Sequence, residues 1–244
     1  MKQYYFLVTL LALLMGCQKQ DERKAHISIE KNEISLICGE STEVPIIGTA
    51  EYCTAETDDD FVASAYGGDG KIEVEGMHVG QTRITIKSDA AENEIECLMT
   101  VLPSFDYVGG VTALWGASRE DVNASVDRTN LLKSYYNEQR GCVTFSYQIG
   151  TYFIVTMYYY PDGKLCGIHK TVEAPSDTET TAYINISNSM GEYMEFVSGS
   201  SSSGRIYKHP SGYYAVLYTP HLNETHDIYY APTLEDAKNH PFTR

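Results

Sequence analysis

The residues best able to do chemistry lie in one short stretch near the C-terminus, His221-Leu222-Asn223-Glu224-Thr225-His226-Asp227. Two imidazoles and two carboxylates could hold a zinc ion, which makes His221 and His226 weak candidate metal ligands. The stretch falls between two predicted strands, however, where a polar hairpin loop is the ordinary explanation. We therefore prefer the loop interpretation, and the sequence predicts no metal and no cofactor.

The motifs that mark common catalytic sites are missing from the sequence. There is no Gly-x-Ser-x-Gly elbow, no His-Glu-x-x-His pair, no phosphate-binding glycine loop and no dinucleotide fingerprint. No pair of carboxylates is marked as an acid and a base by spacing or surroundings. The sequence therefore names no catalytic residue and predicts that the protein is not an enzyme, with a hydrolase of unfamiliar site as the alternative.

A second polar cluster, Glu56-Thr57-Asp58-Asp59-Asp60, concentrates the carboxylate oxygens that calcium prefers. The cluster lacks the glycine and the spaced ligands of a calcium-binding loop. We therefore interpret it as a solvated acidic loop, with calcium binding as the alternative.

The N-terminus carries a cysteine at the end of an apolar run over residues 4–15. This run is too short to cross a membrane, which takes about 20 residues, but it fits the apolar part of a secretory signal. The residues Leu13-Leu14-Met15-Gly16-Cys17 resemble the lipobox of bacterial lipoproteins. The resemblance implies a signal peptide over residues 1–16, cleavage before Cys17, acylation of that cysteine, and a lipidated tether over residues 17–25. Several acyl chains would anchor the chain stably in a membrane.

The residues that follow, Gln18-Lys19-Gln20-Asp21-Glu22, resemble the surface-export signal of Bacteroidetes lipoproteins, although Gln20 interrupts the match. The resemblance implies an outer membrane lipoprotein exposed at the cell surface. A lipoprotein that faces the periplasm is the alternative.

The charge balance excludes one class of partner. The chain has 33 acidic residues against 18 lysines and arginines, a formal net charge of −15. Such a surface repels phosphate backbones, so nucleic-acid binding is not expected. The acidity also argues against an electrostatic grip on anionic lipid beyond the acyl anchor, and it keeps an exported protein soluble.

Five cysteines remain besides Cys17, and none forms a Cys-x-x-Cys motif. Each lies in or beside an apolar stretch, where a thiol behaves as a small hydrophobic group. One disulfide among Cys38, Cys53 and Cys97 is the alternative in an exported protein.

Residues 26–103 alternate short β-like runs with turns and show no helical period. About seven runs in under eighty residues are typical of two packed antiparallel sheets. The runs are residues 27–29, 34–37, 44–47, 61–63, 71–74, 82–86 and 95–102.

Two motifs in this segment resemble the bacterial Ig-like domain of group 2. They are Ile34-Ser35-Leu36 with Gly39-Glu40-Ser41, and the glycine turn and alternating strand from Gly76 to Ile86. The resemblance implies an Ig-like β-sandwich that serves as a spacer or module in exported proteins. The tryptophan usual on a central strand is missing, and we expect Tyr52 to take its place.

Residues 104–244 combine helical and β-like patterns. Ser118 and Ser176 each begin a capping-box-like helix start, and each predicted helix precedes three β-like runs. The predicted units span about residues 113–173 and 176–231, followed by a short helix at residues 233–238. The arrangement resembles the tandem helix-plus-meander folds of the β-lactamase-inhibitor-protein type, without a motif specific to them. The predicted fold is therefore mainly β, an Ig-like sandwich plus an α+β domain.

The chain has twenty tyrosines, many in doublets such as Tyr135-Tyr136 and Tyr229-Tyr230. Because neighbours on a strand point to opposite faces, each doublet should bury one ring and expose the other. Exposed tyrosines suit a binding surface, although tyrosine also simply favours strands.

These observations predict a membrane-anchored, non-catalytic binding or adhesion module at the cell surface. Its partners would be the membrane, through the lipid, and an unidentified protein or glycan ligand. The alternatives are a periplasm-facing structural or assembly lipoprotein that contacts envelope proteins, and a glycan-capture accessory protein.

Overall fold

The computed structural model describes residues 24–49, 51–104, 110–175, 177–200, 204–218 and 225–239. Cys17 and the predicted signal peptide lie outside these residues, as do His221 and Ser176. The described chain is mainly β, as the sequence predicts, and its strands form two sheets of seven and eight strands. Across the described residues, no helix has the length and apolar character needed to span a membrane.

The first sheet is built from seven strands that precede residue 103. Their order across the sheet is β1-β7-β6-β3-β4-β5-β2. β1 pairs with β7 in parallel, whereas the other neighbours are antiparallel. The strands are β1 (Glu33–Ile37), β2 (Ser41–Pro45), β3 (Tyr52–Thr57), β4 (Ala63–Asp69), β5 (Lys71–Gly76), β6 (Gly80–Lys87) and β7 (Ile95–Leu102).

The core of the first sheet follows from strict alternation of apolar and polar residues. Ile72 and Val74 of β5 are fully buried, and so are Ile84 and Ile86 of β6. These four side chains belong to one cluster although β5 and β6 lie at different places in the sheet. The sheet therefore folds over on itself. Each buried isoleucine stabilises the folded state by roughly 1.5–3 kcal/mol, because its side chain is removed from water.

Three predictions in this region are wrong. Residues 27–29 make only an isolated bridge from Ser28 to Ile47, whereas the segment predicted as an acidic loop contains the end of β3. Tyr52 does not fill the core position expected of it, since it is 57% exposed while Cys53 is fully buried. The cause is register, because a shift of one residue along a strand exchanges the two faces.

The second sheet contains eight strands in the order β12-β13-β14-β15-β11-β10-β9-β8, all antiparallel. Two helices precede its halves and a third follows. The elements are α1 (Arg119–Ser125), β8 (Leu131–Asn137), β9 (Cys142–Ile149), β10 (Tyr152–Tyr159), β11 (Gly167–Glu173), α2 (Glu179–Tyr193), β12 (Glu195–Ser200), β13 (Gly204–Lys208), β14 (Tyr214–Tyr218), β15 (Thr225–Ala231) and α3 (Leu234–Asn239).

Each of the two units has a helix and four strands, so the prediction of three strands per unit is wrong. The strands missed are β8 and β12, which lie at the two edges of the sheet. β8 alternates poorly because nearly all of it is exposed, and β12 carries a bulge between Phe196 and Ser198. The last strands of the two units, β11 and β15, pair at the centre.

Helices α1 and α2 cover one face of the second sheet. Ser118 caps α1 as predicted, and Val122 and Val126 are both buried. Along α2, Tyr183, Ile186 and Met190 are buried at helical spacing and join the cluster of the central strands. On the opposite face, α3 packs against β14 and β15 through Ala237.

The tyrosine doublets do not alternate in burial as predicted. Tyr229 and Tyr230 are both buried, because α2 lies over one face of the central strands and α3 over the other. Tyr135 and Tyr136 on β8 are both exposed, at 46% and 44%. Burial of these rings therefore follows distance from the sheet edge rather than the face on which each ring lies.

Candidate functional site

A cleft of about 320 Å3 opens on the helix-covered face of the second sheet. It lies between the end of α1 and strands β9, β10 and β11. Its apolar wall is formed by Val111, Val126, Ile149 and Ile154. Its polar groups come from Gly110, Thr112, Ser125, Asp127, Thr129, Asn130, Tyr147, Thr156, Tyr158 and Lys170.

Lys170 is the most unusual residue of the cleft, because it is a lysine that is only 2% exposed. It lies on the helix-covered face between Ile168 and Val172, both fully buried neighbours on β11. Its ammonium donates to the carbonyl oxygen of Gly110 at 3.3 Å and lies 5.9 Å from the centre of the Tyr230 ring. Burying a charged group costs free energy, so such residues are often kept for a function.

Two tyrosines of the cleft are held in place by hydrogen bonds. Tyr147 donates from its hydroxyl to the carbonyl oxygen of Asp127 at 3.0 Å. The hydroxyl of Tyr158 accepts from the backbone N–H of Thr112 at 3.3 Å. Burial raises the pKa of both phenols, so both are neutral and can donate or accept hydrogen bonds at neutral pH.

The rim of the cleft is the loop between α1 and β8. Asp127 accepts from the backbone N–H of Thr129 at 2.9 Å, and this hydrogen bond lowers the pKa of the Asp127 carboxyl. Asn130 follows with φ of 60°, the single positive φ outside glycine in the described chain. Asparagine adopts this left-handed conformation more readily than most residues. The loop thus contributes both Asp127 and Asn130 to the lining of the cleft.

The cleft is suited to hold a ligand by contact and hydrogen bonds. Among its described lining residues, Lys170 is the one cation and Asp127 the one carboxylate, and hydroxyl groups from Thr156 and the tyrosines lie between them. Few polar groups on an apolar wall are typical of small-molecule and side-chain pockets. Sequence reasoning missed this site, although a lysine between inward-facing Ile168 and Val172 is a readable signal.

The opposite face carries a second polar cluster, centred on His169. Its Nε2 lies 2.8 Å from Oδ1 of Asp227, which also accepts from the Thr171 hydroxyl at 3.1 Å. The ring stacks on Tyr229 with centres 4.4 Å apart. Burial raises the pKa of Asp227, but the hydrogen bonds and charge of His169 outweigh it and the net pKa is lowered. The cluster ties β11 to β15 at the centre of the sheet.

Of the two weak candidates for metal binding, His221 lies outside the described residues and only His226 can be placed. His226 lies in β15 rather than in a loop, and its side chain is fully buried beside Tyr183. In the acidic stretch at residues 56–60, the Asp59 carboxylate already accepts a hydrogen bond within the protein, from the backbone N–H of Phe61 at 3.0 Å. In the part of the chain that the structure describes, no three His, Cys, Asp or Glu side chains could hold a metal ion.

The five cysteines after Cys17 are free thiols, so the alternative of a disulfide among Cys38, Cys53 and Cys97 is wrong. Burial raises the pKa of each of these thiols. Their role as small packed groups agrees with the main expectation from the sequence.

Comparisons with known proteins add no family, since no protein-family model and no curated protein matches the chain. Among solved structures, this chain is similar to domains 4 and 5 of the S-layer protein SbsC. The match has 20% sequence identity and a TM-score of 0.27, and it covers 31% of this chain. This chain spans 44% of that structure. The D00-D0 domain of intimin is 8% identical over 86% of this chain and 87% of its own, at a TM-score of 0.25. Scores this low carry no argument about function.

Proposed function

We propose that this protein is a membrane-anchored, non-catalytic binding lipoprotein, acylated on Cys17 and exposed on the outer membrane. The observation that carries the binding role is the cleft beneath α1, where a buried Lys170 and ordered tyrosine hydroxyls face an apolar wall. Such a cleft can hold one protruding group of a larger ligand, either a protein side chain or a sugar. The ligand is thus held without being changed.

The first sheet is, in this proposal, an Ig-like sandwich that acts as a spacer. The parallel pairing of β1 with β7 and the core shared by β5 and β6 support this assignment. The spacer carries the second domain, an α+β unit of two helix-plus-four-strand repeats, away from the lipid.

The binding role is tested with the soluble chain that begins at residue 18, applied to a glycan array and to solubilised envelope proteins. Thr156→Val removes a hydroxyl from the cleft at nearly constant volume, and Asn130→Gly removes the rim amide while keeping the positive φ. We expect each variant to weaken the wild-type signals about 3- to 10-fold, since one hydrogen bond contributes roughly 1 kcal/mol.

The matched control is Glu173→Gln, an exposed residue of β11 on the face of the sheet opposite α1 and α2. It should bind like the wild type. If both cleft variants retain full binding, the ligand lies elsewhere and the cleft is not the site.

The periplasm-facing assembly lipoprotein is the competing function, and protease treatment of intact cells separates the two. A surface protein is degraded under these conditions, whereas a periplasm-facing protein is protected until the outer membrane is opened.

A further inference from the structure

A second, smaller cavity of about 90 Å3 lies on the helix-covered face, where the end of α2 meets the turn between β13 and β14. It is distinct from the cleft beneath α1, although Gly110 and Val111 line both. A cavity needs roughly 10–15 Å3 to hold one water, so this one has room for a compact group of about five non-hydrogen atoms. Its other described lining residues are aromatic or carry a thioether, namely Met190, Tyr193, Met194, His209, Tyr213 and Tyr230.

The rings of this cavity form two walls at an angle. The imidazole of His209 stacks on the Tyr213 ring, with centres 4.5 Å apart and planes 12° apart. The Tyr230 ring lies 6.4 Å from the same Tyr213 ring, at an angle of 58°. Tyr193, the last residue of α2, adds a fourth ring to the lining. The walls thus meet in a corner, and aromatic rings that surround a site in this way bind quaternary ammonium groups.

His209 is held as a neutral ring. The backbone N–H of Ser211 donates to its Nδ1 at 3.2 Å, and the Ser211 hydroxyl lies 2.7 Å from the same nitrogen. A ring nitrogen that accepts a hydrogen bond from a backbone N–H carries no proton. Burial also lowers the pKa of His209, which favours the uncharged ring at neutral pH. The stacked pair of His209 and Tyr213 therefore presents an aromatic wall without positive charge.

The lining selects among cations. No lysine, arginine, aspartate or glutamate belongs to its described residues. A protonated amine that leaves water needs hydrogen-bond acceptors or a carboxylate for its N–H groups. A trimethylammonium group has no N–H and is attracted to ring faces instead. The net charge of −15 on the whole chain also draws cations towards the protein. A compact cation without N–H groups therefore suits this cavity best.

Lys170 lies nearby and limits where such a cation can sit. Its ammonium is 5.9 Å from the centre of the Tyr230 ring and donates to the carbonyl oxygen of Gly110 at 3.3 Å, but it does not line the cavity. Two like charges at one ring repel each other. The place for a bound cation is therefore the other wall, formed by Tyr213 and the imidazole stacked on it.

We propose that this cavity binds the trimethylammonium group of a choline-type molecule. Its methyl groups contact the rings of Tyr193, Tyr213 and His209. Met190 and Met194, both buried, complete the apolar lining. The site does not depend on what occupies the cleft beneath α1, so either proposal can fail without the other.

The test titrates the soluble chain that begins at residue 18 with choline chloride and follows the fluorescence of Trp115, the single tryptophan. The Trp115 ring lies edge-on to Tyr213 with centres 5.8 Å apart, so a molecule bound beside Tyr213 should change its emission. Sodium chloride at equal concentration is the blank. Phosphocholine, titrated in parallel, distinguishes free choline from a choline phosphate head group by which of the two binds more tightly.

The charge of the ligand is tested with dimethylbutanol, the neutral isostere of choline in which carbon replaces nitrogen. It should bind about fivefold or more weakly than choline, because attraction to the ring faces depends on the positive charge. Equal binding of the two would mean that the cavity is an apolar pocket and would overturn the proposal.

The position of the site is tested at Tyr193, whose partial exposure at the end of α2 makes it the safest ring to replace. Tyr193→Leu removes one ring and should weaken choline binding about fivefold or more, whereas Tyr193→Phe keeps the ring and should bind choline like the wild type. Tyr66→Leu, at an exposed tyrosine of the first sheet, is the matched control and should leave choline binding unchanged.

Two further outcomes overturn the proposal. One is the absence of any saturable change in Trp115 emission beyond the sodium chloride blank, together with no saturation transfer from the protein to the choline methyl protons in NMR. The other is full choline binding by a Tyr193→Leu variant whose circular dichroism spectrum matches that of the wild type.

Discussion

His226 is a buried histidine whose ring nitrogens both have no hydrogen-bond partner among the described residues. Burial lowers its pKa, and the charges of Glu179 and Asp227 offset this only in part. The neutral ring is therefore favoured in the native state. Because the unfolded chain takes up a proton near pH 6.5, native stability from this residue is present above that pH and is lost as the pH falls.

We predict that His226→Leu reduces this acid sensitivity. Urea unfolding at pH 7.5 and pH 5.5 should show a smaller loss of unfolding free energy in the variant than in the wild type. Part of the loss should remain, because burial also lowers the pKa of His209. His26→Leu, at an exposed position, serves as the control, and an unchanged difference in His226→Leu would exclude His226 as the source.

At the scale of elements, the cap of α2 gives the sharpest stability prediction. The side chain of Thr178 accepts from the backbone N–H of Thr181 at 3.2 Å. Thr178→Ala should lower the free energy of unfolding by about 1 kcal/mol, since it leaves a helix-end N–H without this partner. The measurement is chemical unfolding by circular dichroism.

Thr180→Ala is the matched control, two residues further on and exposed in the first turn of the helix. It should be neutral or slightly stabilising, because alanine favours helix more than threonine does. Equal destabilisation by the two variants would mean that the cap contributes nothing.

The elements that the sequence predicts correctly are those with strong periodic burial. The cap of α1 at Ser118 is such a local pattern, which is why it can be read before the fold is known. The start predicted at Ser176 is two residues early, because Thr178 caps α2. The edge strands β8 and β12 escaped prediction because an edge has one neighbour and little buried surface, so alternation disappears. Both strands were missed because of their position at the edge of the sheet rather than because of their amino-acid composition.

The cleft could be predicted only in part. Lys170 stands out within a single strand, because a lysine occupies an inward-facing position. Its neighbours in the cleft come from residues as distant as Gly110 and Tyr147. They meet only because the meander brings β9, β10 and β11 side by side under α1, and sequence spacing does not contain that information.

At the scale of the whole molecule, Glu192 joins the two sheets. Its carbonyl oxygen accepts from Val79 N–H at 2.7 Å, and its carboxylate accepts from the N–H of Ser104 at 2.9 Å and from the Ser104 hydroxyl. Burial, and after it the charge of Glu192, raises the pKa of the Cys38 thiol. A residue at the end of α2 thus contacts the first sheet and the segment that leaves it.

We predict that Glu192→Ala loosens this junction without unfolding either sheet. The radius of gyration from X-ray scattering should rise, and proteolysis near Ser104 should become several-fold faster. Glu195→Ala, an exposed acid on β12, is the control. An unchanged radius and cleavage rate in Glu192→Ala would show that the junction does not depend on this side chain.

The proposal rests most heavily on Cys17, because an anchored protein and a free one meet different ligands. The direct measurement is the distribution of the wild type and of Cys17→Ala between membrane and soluble fractions of the producing cells. We predict that the wild type sediments with the outer membrane, whereas the variant, which cannot be acylated, leaves it. A Cys17→Ala variant that remains in the membrane fraction as fully as the wild type would contradict the lipoprotein assignment.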